Sequence, residues 1–186
     1  VTLLGTTYFL IKWVMQGSIV SLMMAAFFTM LGTLSRYDAW LVALGSTVFV
    51  FIYTLITKNL KQAKGLTIFY VTLAGLGITL WFLYNLLIFG SPFYFAFNEY
   101  SAHAQQTALA QRGELPTKGS FLLSFLTFTS AAILNQGIVF SIFAFAGLLY
   151  YFLKNRWRVN TWAPYLLLIP FVFNVSALYL GHSVIW

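Results

Sequence analysis

Residues 66–89 run for 24 positions without one charged side chain, and similar apolar runs fill most of the chain. About 20 such residues are what an α-helix needs to cross a bilayer, where every backbone N–H and C=O must be satisfied within the segment. Five stretches read this way: residues 13–34, with 1–11 as the tail of an earlier span, then 39–57, 66–89, 136–153 and 161–180. Only 7% of the 186 residues are charged, against about a quarter in a soluble domain. No water-soluble fold could cover its surface with so little charge. The sequence therefore predicts an all-α, polytopic transmembrane helix bundle of about five spans, with residues 1–186 forming a single transmembrane domain.

The net charge of +7 raises nucleic acid as a partner, and the placement of the charge excludes it. Lys58, Lys61 and Lys64 form one basic cluster, and Lys154, Arg156 and Arg158 another, each between apolar runs. Cytoplasmic loops look like this under the positive-inside rule, whereas a nucleic-acid surface needs a basic stripe on a soluble scaffold. The partners implied are membrane lipids, in a multi-pass protein of the cell membrane. With both clusters and Lys12 inside, Asp38, Glu99, Glu114, His103 and His182 all fall on the non-cytoplasmic face, which marks it as the functional one. The chain has no cysteine, so disulfides and thiolate chemistry are excluded. It opens at Val1 without a Met and stops in HSVIW directly after a span, which reads as an internal piece of a longer protein.

Residues 90–135 are expected to form an outer juxtamembrane segment. Within it, FNEYSAHAQQTALAQRGELPTKGSF reads as a polar helix followed by a turn at Pro116. Residues 120–134 are apolar but only about 15 long, which suits an interfacial helix or the tilted start of the fourth span, broken at Asn135, Gln136 and Gly137.

Three places could carry chemistry. In LSRYDAW, Arg36 can hold an anionic group such as a lipid-linked phosphate, with Asp38 orienting it or reaching a sugar hydroxyl. The plainer reading is a turn, with Asp38 at a helix start where an acid suits the macrodipole. Glu99 and His103 are four apart and share a face if both are helical, with Gln106 on the next turn and His182 at the end of the last span. They form either the rim of a cavity or a solvated surface pair. No cofactor is assigned, and a divalent metal is left as an alternative on the two histidines and Glu99. Lys118, Gly119 and Ser120 stand at a helix N-terminus, either an anion site or a loop with a snorkelling lysine. Asn85 and Asn174, inside spans, are expected to bond between helices.

SRYDAW, YNLLIFGSPFYFAFNEYSAHAQQ, LPTKGS and FNVSALYLGHSVIW, in this order, resemble segments of bacterial GT-C membrane glycosyltransferases, relatives of the protein O-mannosyltransferases. The resemblance covers most of the chain from about Leu34 onward. It implies a multi-span enzyme that transfers a sugar from a polyprenyl-phosphate donor on the non-cytoplasmic face. Arg36, Asp38 and Lys118 would then bind the lipid phosphate, and Glu99, His103, Gln106 and His182 would form the cavity rim. Ser91 stands where the family commonly has an acid, and His182 where it commonly has Gln. The catalytic acid of the family usually lies N-terminal to a segment like this one, so no catalytic residue is assigned here. The rival expectation is a multi-span transporter or lipid-binding module without covalent chemistry.

Overall fold

The computed structural model describes residues 1–99, 101–155 and 159–182. Arg156, Arg158 and the residues after His182 lie outside the described residues, as does the side chain of His103. Among the described residues every regular element is helical. In order these are α1 (Thr2–Gln16), α2 (Ile19–Ser35), α3 (Asp38–Thr57), α4 (Leu60–Phe89), α5 (Tyr94–Phe97), α6 (Ala102–Gln111), α7 (Phe121–Gln136), α8 (Ile138–Asn155) and α9 (Ile169–Leu180). A 3₁₀ turn over Ala163–Leu168 leads directly into α9.

Three helices are long and apolar enough to cross a membrane: Asp38–Thr57, Leu60–Phe89 and Ala163–Leu180. The pair α7 and α8 makes a fourth if counted as one broken span. Large apolar side chains such as Phe140, Phe143, Phe145 and Leu87 stand exposed on them. Such a surface belongs in lipid, since water would be in contact with row after row of hydrocarbon.

The stretch expected as the first span, residues 13–34, is not one helix. Gly17 adopts a left-handed conformation with φ 65°, closing α1, and Ser18 is the N-cap of α2. A stop glycine followed by a start serine is a helix-breaking pair that the apolar flanks conceal. The two helices fold back as a hairpin, with Gly32 beside Thr2 and Gly5 beside Phe28. At 17 residues α2 is shorter than the usual span.

Lipid offers little hydrophobic drive for helices to associate, so close approach of small residues and shared polar groups must hold the bundle. Ala25, Ala26, Ala63 and Ala74 are fully or almost fully buried. Gly77 of α4 lies so near Thr33 and the Met30 carbonyl of α2 that no side chain fits there. Across the same contact, Thr29 shares hydrogen bonds with Thr6 (3.1 Å) and with the Tyr70 hydroxyl (2.7 Å), linking α1, α2 and α4. Asn85 and Asn174 behave otherwise than expected. Each donates back to a carbonyl four residues earlier in its own helix, Trp81 and Pro170 respectively.

Helix α4 begins six residues before the apolar run of 66–89, so Lys61 and Lys64 are helical rather than in a loop. Leu, Lys, Gln and Ala are strong helix formers, and the Asn59 side chain caps them by accepting from the Gln62 N–H at 2.9 Å. Lys12, Lys58, Lys61 and Lys64 lie toward one end of the bundle, where Trp13 and Tyr53 meet edge to face at 5.0 Å. Arg36 and Asp38 stand at the other end.

Gly137, with φ 87°, breaks the chain between α7 and α8, and the axis bends there by 116°. One arm is tied to α9 and the other to the chain ahead of it. Near the start of α7, the Gly119 N–H donates to the Tyr179 carbonyl at 2.9 Å; farther along, Phe125 and Phe128 meet Phe171 edge to face. At the end of α8, the Tyr151 hydroxyl donates to the Thr161 carbonyl at 2.8 Å. The V thus leaves the C-terminal end of α9 and rejoins the chain just ahead of its N-terminal end.

Candidate functional site

The turn between α2 and α3 carries the site. Arg36 caps α2 in an extended conformation, and Asp38 opens α3 as the acid of its first turn. There Asp38 faces the positive end of the helix dipole and is held by Arg36, whose Nε donates to Oδ1 at 3.1 Å and to Oδ2 at 3.2 Å. The Arg36 side chain is 70% exposed and that of Asp38 only 10%. Asp38 therefore positions the guanidinium, and the two terminal nitrogens have no other partner among the described residues. A guanidinium clamped through Nε presents its outer fork to an incoming oxyanion. Of the two roles open to this motif, the helix-start acid and the orienter of Arg36, Asp38 fills both at once.

Rings surround the turn. Tyr37 stacks on Phe95 at 5.2 Å and meets Trp40 and Trp81 edge-on. Burial among them pushes the Tyr37 phenol above its ordinary range, so it stays neutral at physiological pH. The Trp81 indole N–H is buried without a partner among the described residues.

A cavity of about 670 Å³ opens against this turn, lined by Arg36, Asp38 and Trp81 on one side and by Asn174, Ala177, Leu180 and His182 on the other. A second, of about 300 Å³, lies between α6 and the end of α9, lined by Gln106, Thr107, Gln111, Lys118, Gly181 and His182 among others. The two share Leu180 and His182. Arg36 and Lys118, expected to serve one phosphate, thus line different cavities on either side of His182.

Local folding explains how α6 and α9 meet. Ser101 caps α6 by accepting from the Ala104 N–H at 3.2 Å. Ser120 caps α7 in the same way, and Ser124 donates to the Thr117 and Ser120 carbonyls. Gly181 is left-handed, φ 73°, and the aliphatic stem of Lys118 crosses it closely enough that a Cβ would meet Lys118 Cδ at 2.9 Å. Glycine is required there twice over. The backbone N–H groups of Lys118, Gly119 and Ser120 donate to Leu115, Tyr179 and Thr117. An anion would therefore meet the Lys118 ammonium rather than these amides.

Not every expected residue joins the site. Because Ser101 caps α6, Glu99 precedes the helix, stands exposed and lines neither cavity, so it shares no helical face with the residues of α6. Among the described residues, no three His, Asp or Glu side chains gather where they could share a metal. Trp81 and Gln111 line the cavities without having been singled out, and Asn174, expected only to bond between helices, lines the larger one. Trp81 and Asn174 look from sequence like ordinary span residues, and only Gln111, one helical turn from Thr107, carried a periodic signal. No family model, curated protein or solved structure matches the chain.

Proposed function

We propose that the chain is the donor-binding part of a multi-pass cell-membrane glycosyltransferase that uses a polyprenyl-phosphate sugar on the non-cytoplasmic face. The observation that carries the reading is Arg36. A guanidinium oriented by a buried carboxylate, with its fork free, lines a cavity whose opposite wall sets Phe173, Ala177 and Leu180 among Asn174, Ser176 and His182. That combination suits a phosphate with a hydrocarbon tail. The lysines at the opposite end of the bundle support the sidedness.

In the reaction, the bond from the anomeric carbon to the phosphate oxygen breaks and a bond to an acceptor hydroxyl oxygen forms. The acceptor proton passes to a base, and the polyprenyl phosphate departs with the bonding electrons. Arg36 stabilises the charge that grows on the phosphate as it leaves, an interaction stronger in the transition state than before it. Lys118, beyond His182, adds to the positive field. Asp38 is already engaged by Arg36 and is assigned to positioning rather than to the base.

The test is turnover of the full-length protein with a polyprenyl-phosphate sugar donor. Arg36→Ala should lose most of the transfer and Arg36→Lys recover only part of it; unchanged turnover in Arg36→Ala would sink the assignment. One observation favours a second reading, lipid-phosphate binding without chemistry. Among the described residues, the only carboxylate lining either cavity is Asp38, and it is paired. Full-length protein that binds the lipid through Arg36 but turns over no donor would select this reading.

A further inference from the structure

We infer that the 300 Å³ cavity between α6 and the end of α9 is the pocket for the sugar ring of the donor. The inference rests on the lipid-phosphate reading of the neighbouring cavity and assigns the part of the ligand that reading leaves unplaced. Three observations carry it.

The first is the chemistry of the wall. Positions 106, 107, 110 and 111 fall on one face of α6 by helical spacing, and this face brings Gln106, Thr107 and Gln111 to the cavity. No carboxylate lines it; its cation, Lys118, enters from the opposite side with His182. A wall of amides and a hydroxyl facing a cation suits a neutral, hydroxyl-rich group attached to an anion.

The second is an unmet hydrogen bond. The Gln106 Oε1 is buried and has no partner among the described residues. Turning the amide over would place its NH₂ in the same position, so one polar group stays unsatisfied either way. An unpaired amide in this state is costly, and a ligand that draws the Gln106 side chain toward the cavity it lines would relieve it, since a sugar hydroxyl can both donate and accept.

The third is size and continuity. At about 30 Å³ per water, 300 Å³ equals about ten waters, close to the dozen or so heavy atoms of one hexose and too small for a polyprenyl chain. The larger cavity adjoins it at His182. A donor that spans the two would set its phosphate in the larger and its ring in the smaller.

The test measures affinities on the full-length protein in lipid nanodiscs. The probes are undecaprenyl phosphate, the same lipid phosphate carrying glucose, mannose or N-acetylglucosamine, and the corresponding soluble methyl glycosides. At least one glycosylated lipid should bind tenfold or more tightly than the naked lipid. Gln106→Leu and Gln111→Leu should remove that gain while leaving naked-lipid affinity unchanged, which also reports that the variants fold. Arg36→Ala should weaken both lipids alike. A gain that is absent for all three sugars, or that survives both glutamine variants, overturns the sugar pocket while leaving the phosphate site standing. Soluble glycosides that bind as tightly as the lipid-linked ones, through the same glutamines, overturn the donor assignment in favour of a free sugar. Naked-lipid binding that ignores Arg36→Ala, or no lipid binding at all, removes the phosphate reading and the inference with it.

Discussion

The bundle reverses direction at two charged turns, and they have little in common beyond that. At Arg36–Asp38 an ion pair joins the end of one helix to the start of the next, the acid is buried, and a 670 Å³ cavity opens against it. At Lys58–Asn59 the reversal is closed by a neutral cap, and Lys58, Lys61 and Lys64 stand exposed with no hydrogen-bond partner among the described residues. One turn orients its charge, while the other leaves its charge to solvent. Charge near hydrocarbon is costly wherever it sits, so the difference lies in what the charge is held against, not in how much of it there is.

That contrast can be broken from either side. The largest effect is expected from Arg36→Ala, which should lower transfer about 100-fold, equivalent to about 2.7 kcal/mol at 1.36 kcal/mol per tenfold. Its thermal stability should fall too, because the buried Asp38 carboxylate loses its partner, so transfer is compared per folded molecule. Next comes Gly77→Leu, which forces a side chain between α4 and α2 just below the Arg36 turn. Overpacking of this kind costs about 2 kcal/mol, read as a lower unfolding midpoint in detergent, with activity falling only as folded protein is lost. At the opposite turn, Asn59→Ala removes the cap on α4 and should cost about 1 kcal/mol of stability with transfer per folded molecule unchanged. The smallest effect should come from replacing Lys58, Lys61 and Lys64 together by Gln, with turnover of correctly inserted protein staying within about twofold of wild type. A 100-fold loss in that triple variant, or none in Arg36→Ala, would erase the distinction between the two ends.

The same two turns show what sequence could and could not convey. Spans 39–57 and 66–89 were legible because continuous apolar runs permit little besides a helix, and the structure has Asp38–Thr57 and Leu60–Phe89 there. The start of α4 was hidden, since a lysine-rich stretch looks like a loop unless its cap at Asn59 is given weight. Gly17–Ser18 was passed over because apolar residues on both sides masked a stop and a start. Of the site, Arg36 and Asp38 stood out as charges in the wrong solvent. Of the neighbours that complete it, His182 was named from the sequence as rim, but Trp81 and Asn174 were not placed beside it, because the three come together only through contacts between α4, α9 and the turn. Glu99 shows the opposite: its spacing of four to His103 is real, but Ser101 caps the helix, so Glu99 lies before its start and the spacing is not a helical one.

The V of α7 and α8 uses 35 residues, Phe121 to Asn155, to travel from one end of α9 back to the other. In mechanical terms it is a truss with a free apex, one foot anchored from Gly119 to Phe128 and the other at Tyr151, and the exposed residues around Gly137 form that apex. Its feet set the geometry, so the length of the arms does not. An inserted segment at the apex would lengthen the strut without shifting the register of α9, the helix whose far end carries His182.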